Sequence, residues 1–312
     1  TNPLASYTAG LPFTAACTTG TDAISFKANF GQKPFKFPPP DGFQPLNLAN
    51  IRPVKVITRP DQFVAVTTYT GTTESPRTIP LSITPDLIWV KNRDTTDGHY
   101  LFDTVRGDNN NIRSDGDFTQ SAVNGASHGI ISTIGFNSFT VKDGSSSGGN
   151  VGSTGSENYV AWMWKAGTSF TPTVTGGFSS PSASINTDAG FGIYKLTGAN
   201  SQSSFTTGLN QAADFILAKA LGESYDWGVY HSSYQTSLPS AKYLELNESA
   251  VPSNKGSDMW EQAGTTIEVH SYAETGSNTD YIYYVWHNVP GLQKFGKYEG
   301  NDQSDGPFIE LG

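Results

Sequence analysis

The residues most capable of chemistry lie in one short stretch, Asp108-Asn-Asn-Asn-Ile-Arg-Ser-Asp-Gly-Asp117. Asp108, Asp115 and Asp117 are hard oxygen donors of the kind that bind calcium. The stretch lacks the spacing of an EF-hand loop and its bidentate glutamate, so a polar loop closed by Asx turns is the competing reading. The five histidines are His99, His128, His231, His270 and His287. No two of them sit at i, i+2 or i, i+4, so no zinc site can be read from His spacing. His231 and His287 fall in expected strands, where a hydrogen-bonded structural role is the natural one.

A glycosidase needs two carboxylates placed across a sugar. Asp94, Asp97, Asp103, Glu245, Glu248 and Glu268 are scattered, and Asp86 and Asp214 each start an expected strand beside a turn, where Asp bonds locally. No Gly-x-Ser-x-Gly elbow is present, and the Gly-rich stretch over 144–155 lacks the lysine of a phosphate loop. These patterns yield no catalytic residue and no cofactor. Among the tryptophans, Trp260 has polar flanks in Ser257-Asp-Met-Trp-Glu261 and is the candidate for an exposed sugar-stacking platform. Asn247-Glu-Ser249 is a formal glycosylation sequon, without meaning in a bacterially made chain.

The elements that must position these residues come in two copies. Pro85-Asp-Leu-Ile-Trp-Val-Lys91, Gly98-His-Tyr-Leu-Phe102 and Tyr159-Val-Ala-Trp-Met-Trp164 recur as Ala213-Asp-Phe-Ile-Leu-Ala-Lys219, Asp226-Trp-Gly-Val-Tyr230 and Tyr281-Ile-Tyr-Tyr-Val-Trp286. The spacing is 128 residues from Asp86 to Asp214 and from Phe102 to Tyr230, and 122 from Tyr159 to Tyr281. A period this long is a whole module rather than a solenoid repeat of about 20–50 residues.

Strands are expected at 63–69, 86–91, 99–103, 137–142 and 159–164, and again at 191–197, 214–219, 227–231, 241–246 and 281–287. In 159–164 both alternating faces are apolar, which predicts a central strand covered on both sides. No window carries an amphipathic helix with cap and stop signals. The fold class expected is all-β: two tandem homologous β-sandwich modules of jelly-roll or lectin-like type, with an N-terminal partial β segment. The expected divisions are a partial β segment with a proline-rich exit at 1–50, module 1 at 51–168, a Pro/Ser/Thr/Gly linker at 169–189, module 2 at 190–294 and the start of a third repeat at 295–312.

The 312 residues carry a net charge of −9 without a cluster of Lys or Arg, which argues against a nucleic-acid partner. No run approaches the ~18 apolar residues of a membrane span, so no membrane insertion is expected. Cys17 is the single cysteine, which excludes an intrachain disulfide. Hydrophobic residues make up only 36%, but 14 Tyr, 18 Phe and 6 Trp supply enough buried area for packed cores.

Several motifs resemble those of tail-fibre and related virion structural proteins of marine tailed bacteriophages. Ala28-Asn-Phe-Gly-Gln-Lys-Pro-Phe35 and Pro40-Asp-Gly-Phe-Gln-Pro-Leu-Asn47 are similar to the end of the SPRY-like sandwich domain of such proteins. Pro85-Asp-Leu-Ile-Trp-Val-Lys-Asn-Arg93, Leu101-Phe-Asp-Thr-Val-Arg-Gly107 and Tyr159-Val-Ala-Trp-Met-Trp-Lys-Ala-Gly167 resemble the tandem uncharacterised modules that follow it. Asp226-Trp-Gly-Val-Tyr-His231 and the exit from Gly291 to Asn301 match in the second copy. The resemblance implies a non-enzymatic virion surface protein: a tail fibre, spike or capsid appendage for host adhesion, assembled in the bacterial cytoplasm. It also implies a homo-oligomer, expected as a trimer, with other virion proteins and a host surface glycan as partners. A stand-alone lectin-like module and a polysaccharide-degrading tailspike are the alternatives.

Overall fold

Twenty strands, β1 to β20 in chain order, build the described part of the chain. The computed structural model describes residues 56–72, 74–122, 129–144, 151–152, 155–198, 200–234, 244–249, 260–270 and 278–309. Residues Val56–Gly312 form one compact unit. The expected SPRY-like segment at 1–50 lies outside the described residues, as does His128.

In the first copy, β1 (Val64–Thr70), β3 (Leu87–Asn92), β4 (Tyr100–Asp103), β5 (Asn110–Arg113), β6 (Ser121–Ala122) and β9 (Asn158–Trp164) form a six-stranded sheet in the order β1-β9-β3-β4-β5-β6. A small sheet, β2-β8-β7, is made by β2 (Arg77–Pro80), β7 (Ile130–Gly135) and β8 (Ser138–Lys142). The second copy repeats this order. Its large sheet is β10-β12-β13-β20-β15-β16-β17, from β10 (Thr168–Phe170), β12 (Ser179–Asn186), β13 (Phe191–Thr197), β15 (Phe215–Ala220), β16 (Gly228–His231), β17 (Leu244–Glu245) and β20 (Asp280–Trp286). Its small sheet is β11-β14-β19-β18, from β11 (Val174–Thr175), β14 (Ser203–Thr206), β18 (Trp260–Ala263) and β19 (Thr266–Val269). Thus β1-β9-β3-β4-β5 corresponds to β13-β20-β15-β16-β17, and β2-β8-β7 to β14-β19-β18. All pairings between these strands are antiparallel.

Each module is a sandwich with its own core. In the first, Tyr69, Ile88, Phe102, Tyr159 and Met163 of the large sheet pack on Ile79, Ile131, Phe139 and Val141 of the small one. In the second, Tyr194, Ile216, Tyr281 and Tyr283 pack on Phe205, Trp260, Ile267 and Val269. The other faces of the two large sheets form a third core. Leu87, Leu101 and Ile112 of the first sheet join Phe191, Ile193, Leu217, Trp227, Val229, Ile282, Tyr284 and Trp286 of the second. The sheets therefore stack as four layers, small–large–large–small. This explains the residues of β20, where Tyr281, Tyr283 and Val285 enter one core and Ile282, Tyr284 and Trp286 the other. In β9 the same logic is weaker: Trp164 meets its counterpart Trp286 edge-on at 5.9 Å, while Val160 and Trp162 stay half-buried.

Two boundaries differ from expectation. Residues 169–189, expected as a linker, carry β11, β12 and most of β10. Their Ser and Thr side chains are exposed except Ser184, which is buried and accepts from Gly167 N at 2.9 Å, while Phe178, Ala183 and Ile185 belong to the second module's core. Pro181 is accommodated at a bulge, where the register with β13 shifts between Ser179 and Ser182 and Ser180 takes φ of +51°. Residues 295–309, expected to open a third repeat, contain no strand; Phe295 instead stacks on Phe215 at 5.4 Å at the edge of the shared core.

Because one core joins both modules, they are expected to unfold in a single transition in scanning calorimetry. Trp286→Ala should destabilise that transition by about 3–5 kcal/mol, the range for truncating a buried large aromatic. Two separable transitions would contradict the shared core.

Candidate functional site

The polar residues repeated in both copies tie strands together. Asp86 immediately precedes β3 and bonds there through its amide, its carbonyl and its carboxylate. Its amide donates to Trp164 O (2.8 Å), and its carbonyl accepts from Thr104 N (3.0 Å). Its carboxylate accepts from Thr104 Oγ1 (2.9 Å) and Ala166 N (3.0 Å). Asp214 repeats this bond for bond: Asp214 N to Trp286 O (2.8 Å), Ser232 N to Asp214 O (2.9 Å), Ser232 Oγ to Oδ1 (2.9 Å) and Asn288 N to Oδ2 (2.7 Å). Each Asp thus pins the start of one strand to the ends of two others. The bonds expected of a local turn are instead long-range. Burial pushes the Asp86 carboxyl above the usual carboxylate range, against the Thr104, Ala166 and Ser184 donors.

The lysine that follows is repeated in the same way. Lys91 Nζ donates to Asn92 O and, at 2.8 Å, to Thr95 O; Lys219 Nζ donates to Ala220 O (2.8 Å) and Glu223 O (3.1 Å). Lys219 is fully buried, and burial pushes its ammonium down to about 8 although Asp117 and Asp226 favour the charged form.

At the junction of the modules lies a buried charge cluster. Arg106 Nε pairs with Asp103 Oδ2 at 2.5 Å, with both side chains wholly buried. Tyr284 of the second module donates its hydroxyl to the same Asp103 oxygen at 2.7 Å. Arg106 also donates to Leu101 O (3.1 Å) and Gln120 Oε1 (3.3 Å). Two further bonds cross the junction: Trp227 Nε1 to Arg113 O (2.8 Å) and Gln120 N to Leu221 O (2.8 Å).

The three candidate metal ligands are not brought together. Asp108 accepts from Ile134 N at 3.0 Å. Asp115 accepts from His99 N at 3.1 Å and pairs with Arg113 at 2.7 Å. The second copy reproduces the Asp115–His99 amide contact with Asn247, which accepts from Trp227 N at 2.9 Å and donates to Asp226 at 2.7 Å. Asp117 lies near enough to Lys219 to favour its charge.

Trp260 is a correction: it is not an exposed platform but is 1% exposed, edge-on to Tyr230 and Tyr283 in the second module's core. Its polar neighbour Glu261 belongs to the opposite face of β18, and period-2 alternation separates the two. His231 lies in β16 as expected, whereas His287 lies one residue beyond β20. His231 Nδ1 accepts from Ser233 N at 3.1 Å, and His287 Nδ1 lies 2.8 Å from Asn288 O.

One cluster escaped the sequence reading. Glu261, Glu268 and His270 place one ligand atom each within 4.8 Å of one another, half-buried on the outer side of β18 and β19. A search for paired histidines overlooks it. The available signal was Glu268-x-His270, two residues on one face of a strand, with Glu261 across the hairpin.

Between about pH 8 and 9.5, before ordinary tyrosines ionise, the unfolded chain keeps the Lys219 proton that the folded chain releases. Stability from this group is therefore expected to rise with pH, by up to ~1.4 kcal/mol per unit. Urea midpoints should show that rise, and Lys219→Met should remove it. Arg106→Ala leaves Asp103 charged and buried without its partner and should cost about 3–5 kcal/mol. Tyr284→Phe should cost about 1–3 kcal/mol. Equal effects of these two substitutions in urea denaturation would contradict the central place of the ion pair.

No curated protein and no solved structure matches the chain. Residues 59–312 match the model of a family described as a domain of unknown function, DUF7483. The match runs through both modules and their shared core, and the chain belongs to the DUF7483 family.

Proposed function

We propose that this chain is a structural and adhesion component of a bacteriophage virion, a tail fibre, spike or capsid appendage at the particle surface. The observation that carries the reading is what the duplication keeps. The repeated positions are strand centres, the Asp86 and Asp214 staples and the Lys91 and Lys219 caps, all spent on holding strands. A load-carrying array needs those features in every copy, whereas an enzyme needs an asymmetric acid and base in a cleft. The depressions at Ala65–Thr67 with Pro80–Ser82, and at Thr175 with Gln202–Ser204, are open and small. The motif likeness to phage fibre proteins supplies the virion setting.

Adhesion would then work by multivalency. Weak contacts repeated over subunits raise avidity by about 10²–10⁴ without a strong single site. A homotrimer is the assembly this reading expects, with other virion proteins and a host surface glycan as partners. Trp260, the candidate sugar platform for the stand-alone lectin reading, is buried in the core.

Light scattering of the purified chain is expected to give a trimer, and gold-labelled antibodies against it should decorate the surface of the phage that encodes it. A stable monomer absent from purified virions would overturn the proposal. So would release of reducing ends or unsaturated sugars from a bacterial capsule.

A further inference from the structure

We propose that Glu261, Glu268 and His270 form a binding site for a first-row divalent cation of the zinc type on the outer face of the second module's small sheet. Glu268 and His270 are two residues apart and share a face, and Glu261 stands directly opposite Glu268 in the β18–β19 register. His270 Nε2 lies 3.9 Å from Glu261 Oε1 and 4.0 Å from Glu268 Oε1. A tetrahedral ion with bonds of about 2.0–2.2 Å holds its ligand atoms about 3.3–3.6 Å apart, so side-chain adjustments of under ~1 Å close the site. An imidazole with two carboxylates suits zinc and its neighbours rather than calcium or magnesium, which take oxygen ligands. Gln202 Nε2 donates to Glu268 Oε1, the kind of outer partner that orients a ligating carboxylate.

The first module provides the internal comparison. At the standard offset of 128 residues, Thr133, Thr140 and Lys142 occupy the positions of Glu261, Glu268 and His270. Thr133 faces Thr140 across β7 and β8, as Glu261 faces Glu268 across β18 and β19. Thr140 Oγ1 lies within hydrogen-bond distance of Thr78 Oγ1, at 3.1 Å. That face holds together through hydroxyls. In the second copy all three positions carry side chains that ligate metals. Two carboxylates directly opposite repel one another, and threonine shows that the sheet does not require them. A cation turns that repulsion into attraction. Three protein ligands leave the remaining coordination positions open to water or to an oxygen of an outside ligand.

Isothermal titration of EDTA-dialysed protein with zinc chloride tests the site, with the visible absorption of added Co²⁺ as a second readout. One equivalent per chain is expected, with a Co²⁺ spectrum of low coordination number. Glu268→Gln or His270→Gln should weaken binding by more than about tenfold, the lower end for loss of even an outer partner. Glu261→Thr/Glu268→Thr/His270→Lys writes the first module's residues into the second and should fold without binding. Absence of binding by folded wild-type protein overturns the proposal. So does unchanged affinity in His270→Gln and the triple variant, which would put the ion elsewhere. Neither outcome bears on the virion reading, which rests on the shared framework and not on this face.

Discussion

The contact between the two large sheets organises the rest of the molecule. Each sandwich could bury one face of its large sheet alone, but the second face is apolar too, and only a partner sheet can cover it. In the second module that face carries Phe191, Ile193, Leu217, Trp227, Ile282, Tyr284 and Trp286. Exposed, it would be a patch far larger than monomeric proteins tolerate. The neighbouring module is the cover. At the centre of this apolar contact sits a charged pair, Asp103 and Arg106, which the Tyr284 hydroxyl joins from the other side. A buried pair of this kind adds little net stability compared with apolar packing, yet mispairing it is costly. Its effect is on register: a slip of the sheets would strand Asp103 and Arg106 without their third partner.

Duplication lets the chain serve as its own control. Where both copies keep a residue with the same bonds, the role belongs to the module. Asp86 and Asp214 are the clearest case, since Thr104 and Ser232 supply the same hydroxyl and Ala166 and Asn288 the same amide. Where the partner changes chemistry but keeps the geometry, as with Asp115 and Asn247, the backbone amide being satisfied is the constraint and the charge is incidental. An acidic stretch read without its second copy looks like a cation site; read with it, one of its three carboxylates is an acceptor for a backbone amide 16 residues away that an asparagine can replace.

The central strands of the large sheets were legible; their outer strands β5, β6, β10 and β12 and most of the small sheets were not. The expected strands at 63–69, 86–91, 99–103, 159–164, 191–197, 214–219 and 281–287 fall on β1, β3, β4, β9, β13, β15 and β20, whose residues are apolar on one or both faces. Strands such as Ser203–Thr206, Trp260–Ala263 and Thr266–Val269 have an outer face carrying Ser, Thr, Glu or Ala and are four residues long. Over so short a span, polar alternation looks like a loop. The same cause hid Ser179–Asn186 inside an expected linker and made Trp260 look exposed. The staple function of Asp86 and Asp214 was out of reach, because its acceptors and donors lie 18 to 80 residues away.

The arrangement also decides where the copies are free to differ. The segment from Gly107 to Gln120, which contains β5, varies between copies, but its Arg113 carbonyl holds Trp227 and its Gln120 amide holds Leu221. Variation there is constrained by the module junction. Among the described residues the outer faces of the small sheets carry no third layer, so a substitution on them disturbs none of the three cores. On these faces the chemistry has diverged, from Thr133, Thr140 and Lys142 to Glu261, Glu268 and His270, while Thr133 still faces Thr140 as Glu261 faces Glu268; the bulge between Ile131 and Thr133 has no counterpart in β18–β19. A framework that buries its shared residues in three cores and leaves two sheet faces outside can change what it presents without changing how it folds.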